Sequence, residues 1–379
     1  MKIKGFIKDI SGYFKVIKMR KKAIKSAKEE VDITDNVLMN QKKLHQGIIH
    51  SKVVKISKET QNSVRIRFNI GEETYLIAGT YLSLKLNIKG LYVTRPYSVI
   101  TSPESALKDK YVEIIVKEKE DGFVSLYLNR ELKEGDKISF ELNQGEFSYN
   151  SFRDKKELVF IAGGVGITPF ISLSNDLLDK KVVDKITILY GVRNINDILA
   201  KKDLDELINR GVKVIYIVSE DDQYNGEKGF IDKSIINKYA VVDKSTFYIC
   251  GPSIMVDYVK NELSQLGVDI RKVRTEGYIN PQIEERKEYN IENRRGLEST
   301  IIKALSNESI LTALEKSGIK HDSSCRSGRC GYCHIKVISG EYQLIDDSYI
   351  RYSDKELGYV HSCITYPKSD LIIQMSIEQ

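Results

Sequence analysis

The chain reads as a multidomain α/β plus β protein. It has an antiparallel β unit, a doubly wound parallel α/β unit and a compact cysteine-bearing C-terminal unit. Three observations predict this. Short β-branched runs separated by turn residues occupy 49–142. Apolar strands then alternate with helical stretches from 157 to 267, and four of the five cysteines lie in the last 55 residues. With 379 residues and 41% hydrophobic side chains, the chain has material for about two to four domains and their cores.

Residues 1–45 read as a basic amphipathic N-terminal segment. Ile3, Ile7, Ile10, Phe14 and Ile17 recur at steps of four, three, four and three, which sets them on one helical face. Lys4, Lys8, Lys15 and Lys18 crowd its flanks, as in helices that lie on anionic membrane surfaces. Packing on the protein's own body is the alternative. The first 30 residues hold ten Lys/Arg against three acidic residues, and the rest of the chain sums to −1, so the net +6 belongs to this segment. A nucleic-acid binder would carry basic charge across a folded face, so no nucleic acid is expected as a partner. No apolar run approaches about 18 residues and no secretory h-region opens the chain. A cytoplasmic protein is expected, with peripheral membrane contact through residues 1–30 as an added feature.

The runs VVKIS (53–57), SVRIRF (63–68), YLSLKL (81–86), YVEIIV (111–116) and DKISFEL (136–142) predict an antiparallel barrel or sandwich over 46–150. One helical patch, 123–132, interrupts them. At 157 the pattern changes: ELVFIAGG runs into a glycine turn and TPFISLSNDLLDK follows with helical period. ITILYGVR, VKVIYIVSE and TFYICGP are further buried strands. This alternation predicts a parallel sheet over 151–280, with sites at the carboxyl ends of its strands. The polar stretch 281–288 reads as a linker and 289–379 as the cysteine-bearing unit, with a short helix at 310–318. No internal repeat is present.

Cys325, Cys330 and Cys333 are spaced C-x4-C-x2-C, and Cys363 lies 30 positions beyond the third. Two irons and two sulfides need four thiolates and a loop that wraps closely with its amides toward sulfur. Ser327, Gly328 and Gly331 permit that approach. The spacing is that of plant-type [2Fe–2S] ferredoxins, whereas a zinc site more usually shows paired C-x2-C knuckles. His321, His334 and His361 flank the four thiols and read as ordinary polar neighbours, because the ligand set is already complete.

Arg95-Pro96-Tyr97-Ser98 offers a cation, a flat aromatic and a hydroxyl from one strand, whose alternate residues face one side. These are the groups a flavin needs at its phosphates, its ring system and its reactive N5. Gly122-Phe-Val124-Ser125 opens the helical patch, where a helix N-terminus can hold an anion, although a plain turn and N-cap would look the same. Gly163-Gly164-Val-Gly166-Ile-Thr168-Pro169 lies between strand and helix, so the backbone can approach a pyrophosphate at the helix's positive end. It is not the G-x-G-x-x-G fingerprint. Cys250-Gly251-Pro252 ends another strand at the same sheet edge. There Cys250 either touches the nicotinamide or serves as a small buried hydrophobe.

In this order, RPYS, GGVGITP, YGVR, CGP and the cysteine set resemble the ferredoxin–NADP reductase superfamily over about 46–379. Within it they are similar to oxygenase-type reductases with a C-terminal plant-type ferredoxin domain. The resemblance implies an antiparallel flavin-binding β-barrel, a doubly wound NAD(P)-binding domain and a β-grasp [2Fe–2S] domain. It implies that Arg95, Pro96, Tyr97 and Ser98 bind the flavin, and that Gly122, Val124 and Ser125 bind its phosphates. Gly163, Gly164, Gly166, Thr168 and Arg193 would bind the nicotinamide dinucleotide. Cys250, Gly251 and Pro252 would lie beside the nicotinamide and Tyr278 near the flavin, with Ser98 and Cys250 at the reacting atoms.

The implied sequence of carriers is NADH, FAD, [2Fe–2S] cluster and acceptor protein, with FMN and NADPH as the alternatives. A hydride brings two electrons and a cluster takes one, so the flavin must stand between them. The chain departs from the family pattern in two places. NQGEF (143–147) lacks the proline of Pro-x-Gly-x-Phe. Glu220-Asp221-Asp222 stands where a 2′-phosphate would approach, which favours NADH, with Arg193 as the counter-argument. Two other functions fit parts of the pattern. An electron-transfer subunit of dihydroorotate dehydrogenase also joins flavin to cluster, but its fourth cysteine falls much closer to the third. A non-enzymatic redox sensor would not need hydride geometry.

Overall fold

The computed structural model describes residues 6–26, 46–72, 74–120, 122–278 and 286–375. The chain divides into two units, Met1–His45 and Gln46–Gln379. The first contains helix α1 (Phe6–Ser26). Tyr13, Phe14, Val16, Met19 and Ile24 are exposed on it, as are Lys15, Lys18, Lys21, Lys22 and Lys25. Ile3 and Lys4 of the expected amphipathic face lie outside the described residues.

The second unit opens with β1 (Ile49–Thr60), β2 (Ser63–Asn69), β3 (Tyr81–Ile88), β4 (Leu91–Ser98), α2 (Pro103–Asp109), β5 (Tyr111–Lys117), α3 (Phe123–Arg130) and β6 (Lys137–Gln144). The strands are antiparallel in the order β4-β3-β6-β1-β2-β5. Strand alternation turns Leu82, Leu84, Leu86 and Ile88 of β3 into one core with Ile66, Phe68, Ile114 and Phe140. Ile100, just past β4, donates its N–H to Glu113 O of β5 at 2.9 Å, which joins the two ends of the sheet. The barrel closes there.

β7 (Glu157–Gly163), α4 (Thr168–Lys180), β8 (Lys185–Val192), α5 (Lys201–Asn209), β9 (Lys213–Val218), β10 (Glu227–Lys228), α6 (Lys233–Tyr239), β11 (Ser245–Pro252), α7 (Ser253–Gln265) and β12 (Val273–Tyr278) follow. Their sheet, β10-β9-β8-β7-β11-β12, is parallel throughout. Phe170, Leu173, Leu204 and Leu207 of α4 and α5 cover one face, and Ile236, Val256, Val259 and Leu263 of α6 and α7 cover the other. With helices on both faces, the central strand β7 is continuously apolar, as a buried parallel strand must be. Arg65 of β2 pairs with Glu59, Glu113 and Asp203. Ser172 Oγ donates to Thr101 O at 2.7 Å. The barrel and the parallel sheet are therefore braced together.

β13 (Glu288–Arg295), β14 (Glu298–Leu305), α8 (Ile310–Lys316), β15 (His334–Ser339), β16 (Tyr342–Leu344), β17 (Tyr359–His361), β18 (Thr365–Pro367) and β19 (Leu371–Gln374) complete the chain. A mixed five-stranded sheet, β14-β13-β19-β15-β17, packs against α8 through Ile291, Ile310, Leu314, Ile335 and Ile373. Glu288 opens β13, so the expected linker ends sooner than its sequence suggests, and 281–285 lie outside the described residues.

Candidate functional site

RPYS forms the end of β4, a terminal strand of the barrel sheet, where the missing donor of Pro96 is tolerated. Arg95 and Tyr97 share one face. Tyr97 packs on the barrel core, and burial pushes its phenol up to about 12 against the pull of Arg95 and Arg326. Arg95 Nη1 donates to both carboxylate oxygens of Glu315 at 3.0 and 2.9 Å. Burial and the neighbouring Arg326 hold its guanidinium down at about 10. Ser98 does not share their face. Alternation turns it the other way, toward Glu276 of β12, whose carboxyl it draws down.

Gly122 is the N-cap of α3 and supplies no side-chain cap, so the first-turn N–H groups stand ready for an anion. The Ser125 hydroxyl is used locally: it accepts from Lys119 N–H at 3.1 Å and donates to Gly122 O at 3.4 Å. Val124 is buried in the barrel core, so only its backbone is available to a ligand.

At the carboxyl edge of the parallel sheet, Gly163 ends β7 and residues Gly164–Ile167 form a 3-10 turn before α4. A Cβ on Gly166 would overlap the Cys250 carbonyl oxygen, and one on Gly163 would overlap the Met255 sulfur. The glycines therefore let the turns after β7 and β11 touch. Gly164 differs, with φ +53° and no atom within 4 Å of a built Cβ, so its backbone is the open one. Thr168 opens α4 and donates its hydroxyl to Val165 O at 2.9 Å. Arg193 and Glu220 leave the ends of β8 and β9 and pair at 3.6 Å on the surface. Pro252 and Gly251 end β11 opposite Tyr278 and Gly277 of β12, and the Tyr278 side chain lies outside those described.

Cys250 is buried, and burial pushes its thiol well above the usual range with Glu276 adding to the effect. The two residues are direct partners across β11 and β12. Burial raises the Glu276 carboxyl to about 7, opposed by Arg329 and by Ser98. Its Oε2 is enclosed and has no hydrogen-bond partner among the described residues. Beside it lies the NQGEF loop. Gly145 has φ +84°, and a Cβ there would come 2.7 Å from Tyr81 Cε1 and 3.5 Å from Glu276 Oε1. Asn143 stands where the family pattern has proline, and its φ of 57° is one a proline ring cannot adopt. In exchange its amide ties residues 75–77 to the loop, accepting from Ile77 N–H at 2.8 Å and donating to Tyr75 O at 2.9 Å.

In the cysteine loop, Sγ of Cys325 accepts from the N–H groups of Ser327 and Cys330, each at 3.4 Å. The thiols gather in two pairs. Cys325 titrates against Cys330 and Cys333 against Cys363; in each pair one thiol is pushed down and its partner up, as two groups sharing one charge must be. Among the described residues no three His, Cys, Asp or Glu side chains gather on a single ion site. Two pairs suit two irons with two thiolates each, so the donor set fits a binuclear cluster. Ser362 pins the distant fourth cysteine, donating its N–H and hydroxyl to Cys333 O, both at 2.9 Å. His361 and His334 reach the carbonyls of Gly328 and Gly331 at 2.6 and 3.1 Å, so both brace the loop.

The same loop touches both other domains. Ser324 Oγ lies 3.0 Å from Ser83 Oγ. Burial pushes the Tyr81 phenol up, with Cys325, Cys330 and Glu276 adding to the effect and Ser324 opposing it. Arg329 Nη1 donates to Thr275 O at 2.9 Å. Tyr81, Glu276, Glu315 and Arg326 carry no signal in the sequence beyond the EGY string (276–278), because single polar residues in such runs look like ordinary solvent-facing positions.

Three families match. The one described as oxidoreductase FAD-binding domain covers 50–149, oxidoreductase NAD-binding domain covers 160–261, and 2Fe-2S iron-sulfur cluster binding domain covers 297–368. One component of the 1,2-phenylacetyl-CoA epoxidase of Escherichia coli is 25% identical over 85% of this chain and 96% of that protein. The plasma membrane-associated coenzyme Q6 reductase of Saccharomyces cerevisiae is 30% identical over 58% of this chain and 71% of that protein. The solved structure of phthalate dioxygenase reductase superposes with a TM-score of 0.66 at 22% identity, covering 87% of this chain and 99% of that one. The cysteine pairs, the closed barrel and the parallel sheet edge agree with these matches in kind and in order. The chain therefore belongs to the ferredoxin–NADP reductase superfamily, among the oxygenase-type oxidoreductases that join FAD- and NAD-binding domains to a C-terminal [2Fe–2S] domain.

Proposed function

We propose that this chain is the NADH-oxidising reductase of an oxygenase-type system, feeding single electrons to a partner metalloprotein. One observation carries the reading: Glu276 of the nicotinamide sheet pairs with Cys250 across the strands, Arg329 of the cluster loop bonds the carbonyl of the preceding Thr275, and both Arg329 and Ser98 of the flavin strand draw its carboxyl down. Three cofactor-bearing elements meet at one carboxyl. A bound flavin supplies the conversion from hydride to single electrons. The chain's own residues do the rest. The uncapped first turn of α3 and Arg95 would offset the phosphate charge of a bound flavin, and Glu276, its carboxyl raised to about 7, would hold a proton beside Cys250. Neutral Cys250 gives the nicotinamide a small uncharged wall. The four thiols would hold the cluster, on a loop that Ser324 and Arg326 tie to the barrel through Ser83 and through Glu315, the partner of Arg95.

The choice of NADH is supported by Glu220, which already neutralises Arg193 and would repel a 2′-phosphate. An oxygenase as acceptor is supported by relatives such as the glycine betaine monooxygenase reductase subunit of Pseudomonas aeruginosa, 25% identical over 86% of that protein. Helix α1, with basic and apolar side chains exposed, supports a peripheral contact with an anionic membrane. No described helix is long and apolar enough to cross one. Anaerobic titration with NADH tests the core of the reading: flavin absorbance bleaches and the cluster's electron paramagnetic resonance signal appears. A pull-down under reducing conditions then recovers a metalloprotein whose NADH-driven turnover needs this chain. Bleaching of the flavin with a silent cluster would sink the proposal.

A further inference from the structure

Glu315 of α8 is only 3% exposed, and it belongs to the cluster domain rather than to the flavin barrel. Its carboxylate takes both bonds from Arg95 Nη1 at 3.0 and 2.9 Å, and a third from Arg326 Nη1 at 2.8 Å. Arg326 directly follows the ligand Cys325, has a left-handed φ of 51° and gives its other nitrogen to Thr312 Oγ1 at 2.9 Å. Both guanidiniums act on Tyr97 of the flavin strand. A single buried carboxylate thus binds the flavin-site arginine to the arginine next to the cluster. Two cations share one anion, so the bridge carries an excess positive charge between the two redox groups.

We propose that Glu315 is a positioning and tuning residue for electron transfer: it fixes the cluster loop on the flavin strand and halves the positive charge that the cluster feels. This rests on the reading of the site as a flavin and [2Fe–2S] pair. The step concerned moves one electron from reduced flavin to oxidised cluster, with no bond made or broken. Added positive charge stabilises the reduced cluster, which is the more negative form. A buried pair broken on one side leaves an uncompensated charge, so the effect is large for a residue that ligates nothing.

The test is Glu315→Gln in the full-length holoprotein, which keeps the shape and removes the charge. The equilibrium between flavin and cluster is expected to move about tenfold toward reduced cluster, about 59 mV for a one-electron couple. Glu315→Asp, which restores the charge, returns the potential toward the native value. Arg326→Gln moves it the other way. A residue with a purely structural role would alter stability and leave the potential alone. An unchanged potential in the variants that assemble overturns the proposal. So does loss of the cluster from both Glu315→Gln and Arg326→Gln, since the pair would then be scaffold. The native protein's flavin and cluster signals are recorded in parallel, so a chain that never held a cluster would be recognised separately.

Discussion

Cys250, on the strand that ends at the glycine turns, pairs directly with Glu276 on the final strand of the parallel sheet, and Ser98, last residue of a barrel strand, draws the Glu276 carboxyl down against its burial. Glu276 therefore stands beside the element expected to present the nicotinamide and under the influence of the one expected to hold the flavin. Among the described residues no cation forms an ion pair with it, and its Oε2 has no hydrogen-bond partner. As a carboxyl raised to about 7, it is largely neutral below that pH and needs no full counter-charge.

The first prediction follows from that raised value. Between the ordinary carboxylate range and about 7, the folded protein keeps a proton that the unfolded chain releases. Stability therefore falls as pH rises through this window, by up to about 3 kcal/mol. Glu276→Gln should flatten the slope in thermal melts recorded from pH 5 to 8. It should also remove an inflection near 7 from the pH profile of kcat/KM for NADH. A variant that retains the native slope would place the titration elsewhere.

Replacing one thiol of the first pair, Cys330→Ser, should abolish the iron-dependent absorbance and the cluster's resonance signal. Flavin content and flavin reduction by NADH should persist, because no cysteine of the loop belongs to the barrel's own core. If the iron signal survives, the ligand set is wrong.

Gly166→Ala addresses the glycine contact between the turns after β7 and β11. The added methyl meets the Cys250 carbonyl, which is backbone and cannot swing aside. Overpacking of this kind costs roughly 1–3 kcal/mol. The melting temperature should fall and KM for NADH should rise about tenfold, with flavin content unchanged. Native KM and stability would show that the contact is slack.

Discrimination between the two nicotinamides should rest on the Glu220–Arg193 pair. We expect native kcat/KM to favour NADH by at least about tenfold, the equivalent of one charge interaction near the surface. Glu220→Ala frees Arg193 and should narrow that ratio by raising activity with NADPH. Equal use of both cofactors by the native chain would contradict the assignment.

Removal of residues 1–30 should leave NADH oxidation with an artificial acceptor intact, since every cofactor string lies beyond residue 90. Sedimentation with vesicles containing phosphatidylserine should be lost on truncation, and should weaken with salt in the full chain. Loss of flavin from the truncated protein would instead make α1 a structural element.

The sequence by itself determined the order of the three units, the type of the barrel and parallel sheets and the spacing of the four cysteines proposed as cluster ligands. These are local properties: strand alternation, glycine turns and a nine-residue cysteine loop are written in neighbouring positions. It also located the carboxyl edge of the parallel sheet, because GGVG, YGVR and CGP each follow an apolar run. Three-dimensional packing decided the rest. Cys363 comes alongside Cys333 because β17 pairs with β15 through His361 and His334, and Ser362 then binds the Cys333 carbonyl. Asn143 takes over the turn of the missing proline because the barrel needs a left-handed residue there. Ser98 leaves the face of Arg95 and Tyr97 and acts on the Glu276 carboxyl instead, and Arg95 meets Glu315 from a domain more than two hundred residues away. Each of these relations depends on desolvation. A lone glutamate or arginine looks the same in sequence whether it faces water or an enclosed partner, and only burial between packed domains gives it a specific charge, a fixed partner and a role.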